Sequence, residues 1–365
     1  MRVLIANDKF KGSLTAEAAA EAIAAGLPSD WELDICPIAD GGEGFTSTLL
    51  AALGGERIKV DTVDALLRPI TASFILTADR LAVMEMASAN GLEQIAVADG
   101  DLLNSSTYGT GLLLQAASEA GAQRILIGIG GSATNDGGVG MLAALGACFM
   151  DANEEPLNPT PAGLKTLAEV DAGGLLTLPP VHVACDVTNP LLGPQGATEV
   201  FGPQKGAGPA ERKTLEEFLT RLVEVTGAHA KAQTPGVGAA GGLGFGLHHF
   251  LQAELASGFD LVAEATGLGS RIEEADLVIT GEGSLDSQSL SGKGPVGVAR
   301  LAADLSTPCF AYAGHLTPEV AESGLFAQSA SLSATGLPLD TLLREAAPLL
   351  TDLVRDHVSR HFRTP

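Results

Sequence analysis

Basic residues are scarce in this chain: 21 Lys and Arg stand against 44 Asp and Glu, a formal charge of −23 at pH 7 over 365 residues. Such an excess argues against generic nucleic-acid binding, because a phosphate backbone is held by cation-rich surface. An anionic substrate would need local cations, which gives weight to the lysines set beside glycines, Lys9, Lys11, Lys205 and Lys293. Cysteine is rare too. Cys36, Cys148, Cys185 and Cys309 have no CxxC spacing and sit in apolar stretches, which reads as buried free thiols in a reducing compartment. No apolar run reaches about 18 residues, so no membrane span is expected. Met1 leads directly into an apolar strand, so no signal peptide is expected either. The expected compartment is the cytoplasm and the expected partner a small molecule, with neither nucleic acid nor membrane. A Walker A loop, GxxxxGK[ST], is absent. Gly128, Gly130 and Ala133 fit a GxGxxA pattern, but further polar and glycine residues precede the helix and no apolar strand runs into Asp151, so a dehydrogenase is set aside.

With 45% hydrophobic and 18% charged residues, the chain is long and apolar enough for two domains with their own cores. Its organising stretch is residues 124–146. An isoleucine-rich run ends in Gly130, Gly131, Ser132, Ala133, Thr134, Asn135, Asp136, Gly137 and Gly138, and a helical pattern follows from Val139. Strand, small-residue turn and helix start together favour an anion, through unpaired N–H groups and the helix dipole. The alternative is that the glycines only allow close packing at a strand-to-helix turn.

The same design recurs. An apolar strand over 2–6 ends in Asn7, Asp8, Lys9 and Lys11 before an alanine-rich helix over 15–27, capped by Ser13 or Thr15. A strand over 32–39 ends in Asp40 before a helix over 45–53. After Gly55 the rhythm changes to short strands without intervening helices (58–60, 70–76 and 81–86), which predicts an antiparallel segment. Residues 104–111 read as another helix entry, 151–180 as loop, 181–185 as a strand ending in Asp186, and 211–226 as an amphipathic helix. The glycine-dense 236–246 run reads either as a mobile linker or as a ligand-contacting loop, and His248 and His249 as surface or helix-start residues. A strand over 276–281 ends in Glu282, passes Asp286 and Lys293, and leads to a helix over 295–305. A strand over 309–313, a short one over 329–333 and one long helix over 339–361 complete the chain.

Acids at strand ends (Asp8, Asp40, Asp136, Asp186, Glu282, Asp286), cations (Lys9, Lys11, Lys205, Lys293) and glycine loops form the set that phosphoryl transfer needs. Glycine N–H groups and lysines meet phosphate oxygens, carboxylates carry Mg²⁺, and one carboxylate accepts the proton of the attacking hydroxyl.

DKFKGSL (8–14), PIADGGEG (37–44), STYGTG (106–111), GIGGSATNDGGVGMLAALG (128–146), ACDVTNPLLGP (184–194), FGPQKGA (201–207), GAAGGLGFGL (238–247) and DLVITGEGSLDSQSLSGKGPVGVA (276–299) span nearly the whole chain. In these stretches the sequence resembles the type I glycerate kinases. The resemblance implies ATP-dependent phosphorylation of D-glycerate, with 2-phosphoglycerate the product usually assigned to this type, and two α/β domains with the active site in the cleft between them. One domain would be discontinuous, doubly wound and flavodoxin/Rossmann-like (1–60 and 276–365), the other an inserted mixed α/β domain (61–275). The expected roles are Asp186 or Asp40 as base, with Asp8 and Lys11 beside the chemistry. Gly130, Gly131, Ser132, Asn135, Asp136, Gly137, Lys205 and Lys293 are expected to hold phosphate or substrate, and Glu282 and Asp286 to carry Mg²⁺. The chain departs from the family pattern at Asn7 and Lys9, where proline and serine are usual, and at Ser284 and Ser291, where arginine and histidine are usual. These exchanges put the balance of substrate contacts, and so the preferred hydroxy acid, at issue. A kinase of another small hydroxy acid and a non-catalytic ATP or organic-acid sensor are the alternatives. A monomer or homodimer is expected.

Overall fold

The computed structural model describes residues 1–39, 42, 44–95, 101–287, 289 and 294–362. Strands in chain order begin with β1 (Arg2–Ile5), β2 (Glu32–Ile35), β3 (Glu56–Val63), β4 (Pro69–Leu76), β5 (Leu81–Glu85) and β6 (Arg124–Gly128). They continue with β7 (Cys148–Met150), β8 (Glu169–Asp171), β9 (Val181–Ala184), β10 (Glu254–Ala256), β11 (Leu277–Leu285), β12 (Cys309–Leu316) and β13 (Gln328–Ser331). The chain forms two α/β units: Met1–Asp40, Ser47–Gly54 and Phe259–Pro365 make the first, Gly41–Thr46 and Gly55–Gly258 the second.

The first unit has a five-stranded parallel sheet in the order β13-β12-β11-β1-β2. Counted within the unit this is 2-1-3-4-5, the flavodoxin-like doubly wound order. Period-two alternation explains its two cores. Leu4 and Val278 face one side, with Val298 and Ala302 of the helix Gly294–Asp304 and with Leu268 and Ile272. Val3, Ile5 and Ile279 face the other, with Ile23 of the helix Ala16–Gly26 and Leu350 and Val354 of the helix Ala346–His361. Thr15 caps the first of these helices, accepting the Ala18 N–H at 3.2 Å. Its alanines let it lie close to the C-terminal helix: a Cβ on Gly26 would come within 2.6 Å of the Thr351 carbonyl oxygen.

The second unit has a six-stranded mixed sheet in the order β10-β9-β6-β5-β4-β3, parallel from β10 to β5 and antiparallel from β5 to β3. Ile127, Met84, Leu113, Met141, Leu222 and Phe245 belong to its main core, and Leu102, Ala207 and Leu215 form a smaller cluster. β8 lies inside the region read as loop and pairs antiparallel with β7, just before that region.

Four local expectations change. The C-terminal unit boundary lies at Phe259 and not at 276, because Phe259 packs on Gly297 and joins the Leu268 and Val298 core. β3 belongs to the second sheet, paired along its length with β4. The long C-terminal helix is broken at Glu345 into Leu339–Arg344 and Ala346–His361. Pro348 has no N–H to offer the Arg344 carbonyl, so one continuous helix would lose that bond. Of the four free cysteines only Cys36 and Cys309 are buried; Cys148 is exposed on the two-stranded sheet and Cys185 half-buried. No helix among the described residues is long and apolar enough to cross a membrane.

Candidate functional site

Two groups of the expected residues assemble at the carboxyl edges of parallel strands, one in each unit. Ligands in open α/β sheets characteristically sit at such edges.

In the first unit, buried Asn7 donates its Nδ2 to the carbonyls of Asp8 at 3.0 Å and Ala16 at 2.9 Å, tying down the turn after β1. A proline, usual here in the resembling family, could make neither bond. The Asp8 N–H donates to the Gly281 carbonyl at 2.8 Å and the Gly283 N–H to that of Lys9 at 3.3 Å. The segment carrying Asp8, Lys9 and Lys11 therefore runs beside the carboxyl half of β11, where Glu282 stands. Asp8 is buried, and its Oδ1 accepts the Lys9 N–H at 2.6 Å. A Cβ on Gly294, at the start of the Gly294–Asp304 helix, would lie 3.8 Å from Asp8 Oδ2, so the carboxylate faces a helix N-terminus whose dipole favours its charge. Lys11 is exposed.

Ser289 links the two acids expected to carry metal. Its hydroxyl donates to Glu282 Oε1 at 3.0 Å, it accepts the Asp286 N–H at 3.3 Å, and its own N–H reaches Asp286 Oδ1 at 3.4 Å. Among the described residues no group of three His, Cys, Asp or Glu side chains is placed to cage a metal ion. Two half-buried carboxylates fit Mg²⁺, which takes one or two protein carboxylates and fills its octahedron with water and substrate phosphate. Asp40 and Lys293 lie outside the described residues.

In the second unit β6 runs out into the 129–138 turn as expected, and the Asp136 side chain is tied into the fold there. The Asp136 carboxylate is buried and accepts the Thr107 N–H at 2.7 Å and hydroxyl at 2.8 Å, the Gly138 N–H at 3.0 Å and the Gly140 N–H at 3.1 Å. Gly137 donates to the Gly241 carbonyl at 3.0 Å and Ala133 to that of Asn90 at 2.9 Å. Of the N–H groups read as a phosphate cradle, those of Ala133, Gly137 and Gly138 are thus satisfied within the fold, the last by the Asp136 carboxylate. Gly130 and Gly131 remain exposed. Burial pushes the Asp136 carboxyl above its ordinary range, while its bonds from Thr107, Gly138 and Gly140 pull it back.

Lys205, brought in by the short turn Pro203–Lys205, donates its buried Nζ to Ser132 Oγ at 2.6 Å and to the Thr134 carbonyl at 2.7 Å. Burial pushes this amine down to about 7, against the opposing pull of Asp136. Asn135 donates to Thr198 Oγ1 at 3.0 Å, whereas its Oδ1 and the Thr134 hydroxyl are buried without a partner among the described residues. Asp186, just beyond β9, is half-buried and accepts the Gly258 N–H at Oδ1, 3.2 Å away.

The glycine-dense 236–246 run is not a linker. It forms a turn over Ala239–Gly242 and the start of the helix Leu243–Phe250, packed backbone to backbone on the 134–138 turn. A Cβ on Gly241 would meet the Thr134 carbonyl oxygen at 2.1 Å, and one on Gly246 the Gly137 oxygen at 2.9 Å. His248 and His249 close that helix, His249 stacking on Phe245.

Thr107, Asn90 and Glu85 join these two groups only through the fold. Thr107 answers Asp136, and its Oγ1 also accepts the Met141 N–H at 2.9 Å. Asn90 Oδ1 accepts the N–H and hydroxyl of Thr110 at 2.8 and 2.7 Å. Glu85, at the end of β5, accepts the Thr46 N–H at 2.7 Å. The acid at a strand's end marked Glu85; nothing local marked Asn90.

The glycerate kinase family model matches residues 3–361. A glycerate kinase of Bacillus subtilis (strain 168) is 42% identical over 98% of this chain and 96% of its own length. A glycerate 2-kinase of Escherichia coli (strain K12) is 42% identical over 95% and 94%. A crystal structure assigned as a glycerate kinase 2 from Salmonella typhimurium LT2 superposes with a TM-score of 0.89 at 39% identity, covering 99% of this chain and 98% of that one. With its two α/β units and motifs aligned over nearly their full length, the chain belongs to the glycerate kinase family.

Proposed function

We propose that the chain transfers the γ-phosphoryl group of ATP to D-glycerate, forming 2-phosphoglycerate. The observation that carries this reading is the convergence of Asp8, Lys11, Glu282 and Asp286 at one sheet edge, where the turn after β1 is hydrogen-bonded along β11. Phosphoryl transfer asks for positioned cations and carboxylates more than for a covalent intermediate.

Within the first unit Lys11 meets phosphate oxygens and Asp8, oriented by its own turn, keeps negative charge beside the Gly294 helix start. Glu282 and Asp286, braced by Ser289, are the residues that would hold Mg²⁺. When bound, the ion would offset phosphate charge and orient the donor. In the second unit Asp186 takes the proton of the substrate hydroxyl as general base, with Asp40 the other acid for that role. Gly130 and Gly131 offer the exposed part of the β6 turn to an anion, beside buried Ser132, and Lys205 fixes the shape of that turn. Lys293 is a further phosphate contact in this reading. The reaction is assigned to the cytoplasm, where ATP is available, and to a monomer or homodimer.

The test is ADP release with D-glycerate, ATP and Mg²⁺, followed by proton-coupled phosphorus NMR of the product. A doublet identifies phosphate on the secondary hydroxyl and a triplet phosphate on the primary one; no turnover refutes the reading. Asp186→Ala is expected to cut turnover by ~10²-fold or more at unchanged fold, as loss of a general base does. Activity within a few-fold of the parent would remove Asp186 from that role. Exposed Ser284, where the family usually has arginine, favours including longer hydroxy acids in the substrate panel.

A further inference from the structure

A second feature of the first unit lies beside Lys11. A cavity of about 320 Å³ opens at the carboxyl edge of the parallel sheet, where Phe10 and Lys11, Gly283, Gly314 and His315 and the segment 332–343 meet. Five leucines and Phe10 supply its apolar walls. Leu332 and Leu342 are buried, while Leu337, Leu339 and Leu343 are 41%, 67% and 38% exposed, so three large apolar side chains face water around one opening. Exposed apolar side chains gathered at a concavity mark a binding surface more often than a packing accident. Polar groups line it as well: His315 Nδ1 is 3.3 Å from Ser333 Oγ, which is 3.1 Å from Ser331 Oγ, and Ser13 stands on the segment of Phe10 and Lys11. The cation at the edge is Lys11, and Gly283 of the lining is flanked in sequence by Glu282.

We infer that this cavity receives the purine base and ribose of the phosphoryl donor. The inference rests on the kinase reading above and deepens it by naming where the donor's apolar half is held. Glycerate has no apolar surface to cover five leucines and Phe10, so the acceptor does not match these walls. A nucleoside triphosphate does: a flat, weakly hydrated base for the leucine slot, ring nitrogens for the His315 and Ser333 wall, and a polyanion directed to Lys11. The volume lies at the lower end of the roughly 300–1,000 Å³ of small-molecule sites, enough for a nucleoside and too small for a folded partner's element. Asp8 and Glu282 stand beside the same turn, so a donor seated here carries its phosphates to the edge that holds the acids.

The experiment uses the full-length protein with Mg²⁺ and 2-azido-ATP under light, followed by peptide mapping, together with steady-state kinetics of Leu339→Asp/Leu343→Asp. Both leucines are exposed, and a circular dichroism melt checks the fold. Labelling within 332–343 that ATP suppresses, with KM for ATP raised about tenfold or more and KM for glycerate within about twofold, is the expected result. Labelling elsewhere, or an unchanged KM for ATP in the folded variant, overturns the inference while the kinase reading stands. If the parent releases no ADP with D-glycerate, that reading fails, and the photolabel still decides whether the cavity takes a nucleotide. Suppression of the label by a fatty acid but not by ATP would identify an acyl pocket and overturn it as well.

Discussion

Replacing Asp136 tests whether the 129–138 turn is organised by an internal carboxylate or by a bound anion. In the folded protein that carboxylate accepts three backbone N–H groups and one hydroxyl, all buried. Asp136→Ala leaves these donors without an acceptor. The Thr107 hydroxyl can rotate to another partner, but the N–H groups of Thr107, Gly138 and Gly140 cannot. At about 1–3 kcal/mol for each buried unsatisfied group, and with some relaxation, the expected loss of stability is about 3–5 kcal/mol. Asp136→Asn keeps one acceptor oxygen but turns an NH₂ toward a backbone donor, so a smaller loss of about 1–3 kcal/mol is expected. Urea unfolding followed by circular dichroism gives the magnitude. Hydrogen exchange should place the lost protection in residues 106–111 and 136–146. A stable, fully protected Asp136→Ala protein that has lost only its affinity for phosphate ligands would refute the argument and return Asp136 to the role of a ligand contact.

Three further outcomes follow from the same geometry. Lys205 has its pKa pushed down to about 7 by burial, whereas the unfolded chain has an ordinary lysine. The unfolded state therefore binds more protons from about pH 7 to about 10, and stability should rise with pH across that window by up to a few kcal/mol; Lys205→Met should flatten the slope in pH-dependent melts. Burial, and then His361 and Arg360, push the His357 pKa down, and His357 Nδ1 lies 3.1 Å from the Tyr312 hydroxyl. Protonation is then disfavoured in the folded state, so acidification through the ordinary histidine range should loosen the C-terminal helix. Trp31, the single tryptophan, packs edge-on against Phe362 at 5.3 Å and reports this by fluorescence; a response that persists in His357→Phe would reject the assignment. Gly241→Ala combines a φ of +64° with a Cβ 2.1 Å from the Thr134 oxygen, and should cost several kcal/mol or prevent folding of the second unit. An unaltered melt would show that the two turns are not in contact.

Local signals carried much of this protein. Apolar runs of four to eight residues with polar loops after them marked β1, β5, β6, β9, β11 and β12. Thr15 ahead of an alanine-rich stretch marked a helix and its cap, and the acid after each strand marked the sheet edges at which candidates should gather. Long family motifs, from DKFKGSL at residue 8 to the segment ending at 299, marked the chemistry. These features are legible because each is set within a few residues by propensity, capping or side-chain period.

What pairs across the chain was decided only in three dimensions. A glycine-rich turn with an acid in it looks the same whether that acid faces a ligand or is tied into the fold; Thr107, 29 residues away from Asp136, ties it in. The 236–246 run has the composition of a flexible linker, yet its missing side chains serve to let it touch the 134–138 backbone. Lys205 is an ordinary cation in the sequence and a buried amine pushed down to about 7 in the fold, because the charge it must lose or keep depends on how much water surrounds it. The sequence by itself determined the elements and the chemical kinds of residue at their ends. Only tertiary structure decided which of those groups meet water, which meet one another, and hence which remain available to a ligand, because burial and hydrogen-bond partnership belong to pairs of distant segments and not to either segment alone.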